Sequence, residues 1–116
     1  GRYGCMETWV SGRAFEAQYT EHTGEELKAA DIIEKKRQGD RLCTMLWDRY
    51  LDRVARGLAT VVNSLDPDVF VMGGGMSNVE ELYEELPAAL AKRTFSTVFH
   101  TPILKAVHGD SSGVRG

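Results

Sequence analysis

The chain has 116 residues, 42% hydrophobic and 27% charged, with 14 Lys and Arg against 17 Asp and Glu. That length and composition describe a single domain, residues 1–116, able to bury a core unaided; the net charge of −3 lacks the basic footprint of a nucleic-acid binder. The longest stretch free of Asp, Glu, Lys and Arg is 11 residues, against roughly 20 for a membrane-spanning helix, and two cysteines fit a reducing compartment, so the expectation is a soluble intracellular protein, or part of one, with no membrane partner.

The chain opens in a turn-like Gly1-Arg2-Tyr3-Gly4, and Met6 to Ser11 is expected to form a short helix broken at Gly12. Ala14 to His22 reads as a second helix closed by Thr23-Gly24, and Lys28 to Gln38 as a third, stopped by Gly39. From Asp40 to Leu65 the residues Leu46, Tyr50, Val54, Leu58, Val61 and Leu65 recur at three- and four-residue spacing. Trp47, Leu51, Ala55 and Val62 widen that stripe, which predicts a long helix buried on more than one side, with Gly57 marking close packing. Asp66-Pro67-Asp68 breaks it, because the residue before proline disfavours helical geometry.

Val69-Phe70-Val71-Met72 is a continuous apolar run of the kind found in a buried parallel strand. A helix is expected to start at Ser77 or Asn78, with Leu82, Leu86 and Leu90 on one side and Pro87 opening a second segment. Glu80, Glu81, Glu84 and Glu85 read as its solvated face, and Pro102 to Val107 as a second strand. Strand, helix, strand implies a parallel pair. The class is α/β, with the rest of the sheet expected outside this chain.

Three constellations carry chemistry. Gly73-Gly74-Gly75-Met76-Ser77-Asn78 runs from a strand toward a helix, where glycines let backbone approach a ligand and the helix start favours negative charge. It lacks both the third glycine of a dinucleotide fingerprint and the Gly-Lys-Ser/Thr of a P-loop, so a ligand-free turn stands beside a nucleotide site. Gly4-Cys5-Met6-Glu7, followed by Ser11-Gly12, offers one thiol and one carboxylate. One cysteine cannot hold a metal that wants four ligands, and taken alone Cys5 is an inert thiol and Glu7 a surface charge. Gly109-Asp110-Ser111-Ser112-Gly113 reads as a helix cap, and Cys43 as core.

The segments Gly1-Arg2-Tyr3-Gly4-Cys5-Met6-Glu7-Thr8 with Ser11-Gly12, Asp66-Pro67-Asp68 into Gly73-Gly74-Gly75-Met76-Ser77-Asn78, and His108 to Gly116 together resemble the ROK family (repressors, open reading frames and kinases). Within it the chain looks most like bacterial fructokinases of the manno(fructo)kinase type. The resemblance implies the C-terminal portion, about two-fifths, of a kinase with an actin-like, ribonuclease-H-like fold. ATP with Mg2+ would phosphorylate a hexose, most naturally fructose, between two lobes of a cytoplasmic homodimer. By carry-over, Gly73, Gly74 and Gly75 line the nucleotide, and Glu7 binds sugar hydroxyls. Cys5 completes a structural Zn2+ site with one His and two Cys from elsewhere. A helix from Cys5 to Ser11 would set Cys5 and Glu7 about 200° apart, one toward the metal and one toward the cleft.

The phosphate-binding Asp-x-Gly-Gly-Thr and the catalytic aspartate of such kinases are not in these 116 residues, so no catalytic residue is assigned and the chain alone is expected to be inactive. The alternatives are the sugar-sensing domain of a ROK transcriptional repressor and a non-catalytic helical interaction module.

Overall fold

The computed structural model describes residues 5–65, 67–93 and 102–106, with the backbone only of Cys5. In chain order these form β1 (Cys5–Trp9), α1 (Arg13–Thr23), α2 (Ala29–Arg37), α3 (Arg41–Leu65), β2 (Val69–Gly73), a 3-10 turn at Gly75–Asn78, α4 (Glu80–Ala91) and β3 (Ile103–Lys105). The expected cap at Asp110 or Ser111 lies outside the described residues.

The first element is a strand, not the expected helix. A six-residue helix is marginal on its own, whereas β2 offers a full parallel ladder. Cys5 pairs with Val69 and the register runs without a slip to Trp9 and Gly73. β3 adds to the other side of β2, also in parallel, with Phe70 opposite Ile103 and Met72 opposite Lys105. The sheet order is therefore β1-β2-β3.

The helices follow their sequence signals closely. Gly24 and Gly39 take positive φ angles after α1 and α2, and Asp40 Oδ1 accepts the Cys43 N–H at 2.9 Å to cap α3. α3 is the spine, packed on α1, α2 and α4. It buries Cys43, Leu46, Trp47, Tyr50, Leu51, Ala55 and Leu58. Phe15 meets Trp47 edge-on at 6.3 Å and Tyr50 at 5.5 Å, which locks α1 onto the spine. Gly57 departs from expectation. It is exposed, and among the described residues nothing lies within 4 Å of where its Cβ would be.

Three further expectations change after β2. No helix starts at Ser77 or Asn78, because the Ser77 hydroxyl donates to Gly74 O at 2.6 Å and closes a 3-10 turn instead of capping a helix. Pro87 does not divide α4, which runs unbroken through it. Full burial of Leu82, Leu86 and Leu90, worth about 1.5–3 kcal/mol each, outweighs a proline cost of about 3 kcal/mol. Nor are the four glutamates one solvated face. Glu81 is 9% exposed and takes a two-point bond from Arg37, at 2.9 Å from Nε and 2.8 Å from Nη2, with Lys36 Nζ at 3.5 Å. Glu85 accepts the Trp47 indole N–H at 3.0 Å. These bonds clamp α4 to α2 and α3, and the Arg37 hydrogen bonds hold the Glu81 carboxyl down at about 2.

Candidate functional site

β1 and β2 end side by side, and the chain beyond each is tied to the other. Val10 N–H donates to Gly73 O at 2.8 Å, and Met76 N–H returns a bond to Val10 O at 3.1 Å. Between these bonds Gly74 adopts φ 98°, ψ 176°, a conformation essentially reserved for glycine. A Cβ on Gly74 would stand 2.5 Å from Val10 O. The Tyr83 hydroxyl of α4 donates to Ser77 O at 2.6 Å, holding the 3-10 turn from behind. Burial pushes the Tyr83 phenol above its ordinary range, which keeps it protonated as a donor.

An open cleft of about 540 Å³ lies beyond these strand ends, bordered by Trp9, Ser11, Gly12, Arg13, Glu16, Lys28, Ala29, Ala30 and Gly75. Its size suits a small ligand, and its place, outside the carboxyl ends of parallel strands, is where α/β sheets bind ligands. Gly75 is exposed there, and among the described residues nothing lies within 4 Å of where its Cβ would be. Backbone therefore borders free space. Ser11 is fixed from below by the buried Tyr50 hydroxyl, which donates to its carbonyl at 3.2 Å. Burial raises that phenol to about 12. Arg13 and Lys28 bring two cationic side chains to the rim, with no ion-pair partner among the described residues.

The expected site residues separate in this arrangement. Gly73 is buried as the last residue of β2, Gly74 is the half-buried crossing point, and only Gly75 faces the cleft. Gly74 thus answers first to the Val10 backbone rather than to a ligand. Glu7 is exposed on β1 and does not border the cleft, but Trp9, two residues on and 72% exposed, does. Cys5 and Glu7 are alternate residues of a strand, so the 200° separation of a helix does not apply. Among the described residues no three or more His, Cys, Asp or Glu side chains converge as a metal site. The described residues do not form a zinc centre by themselves. Trp9, Arg13, Glu16 and Lys28 escape sequence reading because their convergence depends on how α1 and α2 pack. The one signal in the chain is the Trp9-x-Ser11-Gly12-Arg13 run that begins two residues after Glu7.

The ROK family model matches residues 1–116. The chain belongs to the ROK family. ROK relatives include a protein named N-acetyl-D-glucosamine kinase from Photobacterium profundum, 44% identical over 97% of this chain and 37% of its own length. Another of that name, from Vibrio cholerae, is 40% identical over 100% of this chain and 38% of its own. The chain therefore spans under two-fifths of the curated ROK relatives it matches. Among solved structures, a ROK hexokinase from Thermus thermophilus superposes with a TM-score of 0.74 at 27% identity, over 88% of this chain and 35% of that one. A ROK family glucokinase from Streptomyces griseus, in complex with glucose and AMPPNP, gives 0.71 at 24% identity, over 90% and 40%. The fold is accordingly part of the actin-like ATPase fold of ROK sugar kinases.

Proposed function

We propose that these 116 residues form the C-terminal portion of a longer ATP-dependent hexose kinase of the ROK family, with N-acetyl-D-glucosamine as the sugar. The observation that carries the reading is the cleft at the ends of β1 and β2, where Gly75 backbone meets open space in a lining that includes Arg13 and Lys28. The likeness to relatives named N-acetyl-D-glucosamine kinase along the whole chain supports the chemistry and the sugar. Those names do not support the fructose expected from the sequence. In this reading the cleft receives ATP with Mg2+, and Glu7 accepts hydrogen bonds from sugar hydroxyls. The general base and the groups that position the γ-phosphate come from the rest of the protein. Cys5 contributes one ligand to a structural Zn2+ whose other ligands lie outside this chain, and the whole protein is a cytoplasmic homodimer.

A coupled assay of the whole protein with ATP and a panel of hexoses tests this. Expected is a kcat/KM for N-acetyl-D-glucosamine at least about tenfold above those for fructose and glucose, a difference of about 1.4 kcal/mol in transition-state binding. A preference for fructose would overturn the sugar assignment, and absence of phosphoryl transfer to any hexose would overturn the kinase. Elemental analysis and sizing chromatography of the same preparation check one zinc per chain and the dimer.

A further inference from the structure

The two walls of the cleft are joined by one side chain. α2 begins after Lys28, which has an extended backbone (φ −75°, ψ 154°) and makes no side-chain cap. A lysine ammonium has only donors and cannot accept the free N–H groups of a helix start. The cap comes instead from α1, thirteen residues earlier, where Glu16 Oε2 accepts the Ala29 N–H at 2.7 Å. The same region is tightly closed. A Cβ on Gly12 would stand 2.9 Å from Ala29 Cβ and 3.7 Å from Glu16 Oε2. Glu16 is half-buried and, with Arg13 and Lys28, also borders a second cavity of about 400 Å³. Glu16 thus lines both spaces, and its carboxylate is bonded to the first residue of α2 beside Gly12.

We propose that Glu16 is a positioning residue for the nucleotide cleft, holding the start of α2, and with it the Lys28 ammonium, at the distance that ATP requires. The proposal rests on the nucleotide reading of the cleft given above. The role belongs to the acceptor oxygen rather than to the charge, since a neutral amide oxygen in the same place can take the Ala29 N–H.

Steady-state kinetics of the whole protein with Glu16→Ala, Glu16→Gln and Gly75→Val test it. Glu16→Ala is expected to raise KM for ATP by about three- to tenfold, the equivalent of roughly one hydrogen bond, with kcat and the sugar KM within about twofold. Glu16→Gln is expected to keep wild-type values, and amide exchange at Ala29 to accelerate in the Ala variant only. A raised ATP KM in Gly75→Val with none in Glu16→Ala overturns the positioning role and leaves the nucleotide reading standing. No effect on ATP from either overturns both. Equal defects in Gln and Ala overturn the assignment to the acceptor oxygen. Should Glu16→Ala fail to fold, Glu16→Asp, one methylene short of Ala29, is expected to show the same ATP-selective rise, and its absence is equally decisive.

Discussion

Adjacent glycines in one turn should respond to substitution in opposite ways, and the difference separates structural need from ligand need. A valine at Gly74 must hold φ 98°, ψ 176°, at about 1–3 kcal/mol for a non-glycine residue. Its Cβ would also stand 2.5 Å from Val10 O. That atom is backbone and already accepts the Met76 N–H at 3.1 Å, so relief requires moving β1 away from the turn, at about 1–3 kcal/mol more. Gly74→Val is thus expected to lose about 2–6 kcal/mol, a large part of the 5–15 kcal/mol typical of a domain. At Gly75 no clash arises among the described residues, so Gly75→Val should stay within about 1 kcal/mol of wild type. There the new side chain occupies the cleft, and KM for ATP is expected to rise about tenfold or more while the sugar KM stays near normal. Urea unfolding of both variants, with the slope compared to detect denatured-state changes, and initial rates of the whole protein supply the two readouts. Wild-type stability in Gly74→Val would refute the strained crossing, and an unchanged ATP KM in a folded Gly75→Val would refute the nucleotide cleft.

Other residues give independent checks. Glu7→Gln in the whole protein is expected to weaken sugar use by about one to two orders of magnitude with ATP binding intact, since charge-assisted hydrogen bonds are worth about 1.5–3 kcal/mol each; near-normal sugar kinetics would return Glu7 to the surface. Arg37→Ala should cost about 1–2 kcal/mol at neutral pH, allowing for the partial exposure of Arg37. Because Glu81 titrates lower folded (about 2) than its ordinary 4.5, that contribution is full above pH 4.5 and fades as pH falls toward 2, so a pH-independent difference between variant and wild type would be the wrong result. Gly57→Ala should raise stability by about 0.5–1 kcal/mol, as expected for an exposed helical glycine with room for a methyl group. In the whole protein, the fluorescence change on adding a non-hydrolysable ATP analogue is expected to shrink in Trp9→Phe, whereas a change equal to wild type at saturation would argue that Trp9 does not border the ligand.

Helices were legible in this sequence and the first strand was not, for a physical reason. α3 announces itself through a stripe that recurs over 25 residues, a signal intrinsic to the segment. β1 has five residues, Cys-Met-Glu-Thr-Trp, too few for either period to declare itself, and it is a strand because β2 lies beside it. Pairing partners 64 residues apart, as Cys5 and Val69 are, leave no local trace. The glutamates of α4 fail in the same way. Glu81 and Glu85 look like surface until Arg37 and Trp47 arrive from other helices. The three glycines do fall in one turn at the end of β2, but composition could not divide their labour. One ends a strand, one passes against a backbone, and one meets the cleft.

The register of β1 on β2 ties the Glu7 and glycine segments into one structural unit. Side chains alternate along a strand, so a slip of one residue would exchange the face carrying Glu7 and Trp9 for the one carrying Met6 and Thr8. The same slip would move Val10 off Gly73, breaking the 2.8 Å bond that joins the strand ends and the 3.1 Å bond that anchors Met76. Gly74 is what makes the unslipped register possible, because only a residue without a Cβ passes Val10 O at this distance. In the reading proposed for the site, the carboxylate that meets the sugar and the backbone that meets the nucleotide are therefore placed by a single constraint. On that reading the glycine turn would serve the sugar side by fixing the strand and the ATP side by leaving Gly75 bare.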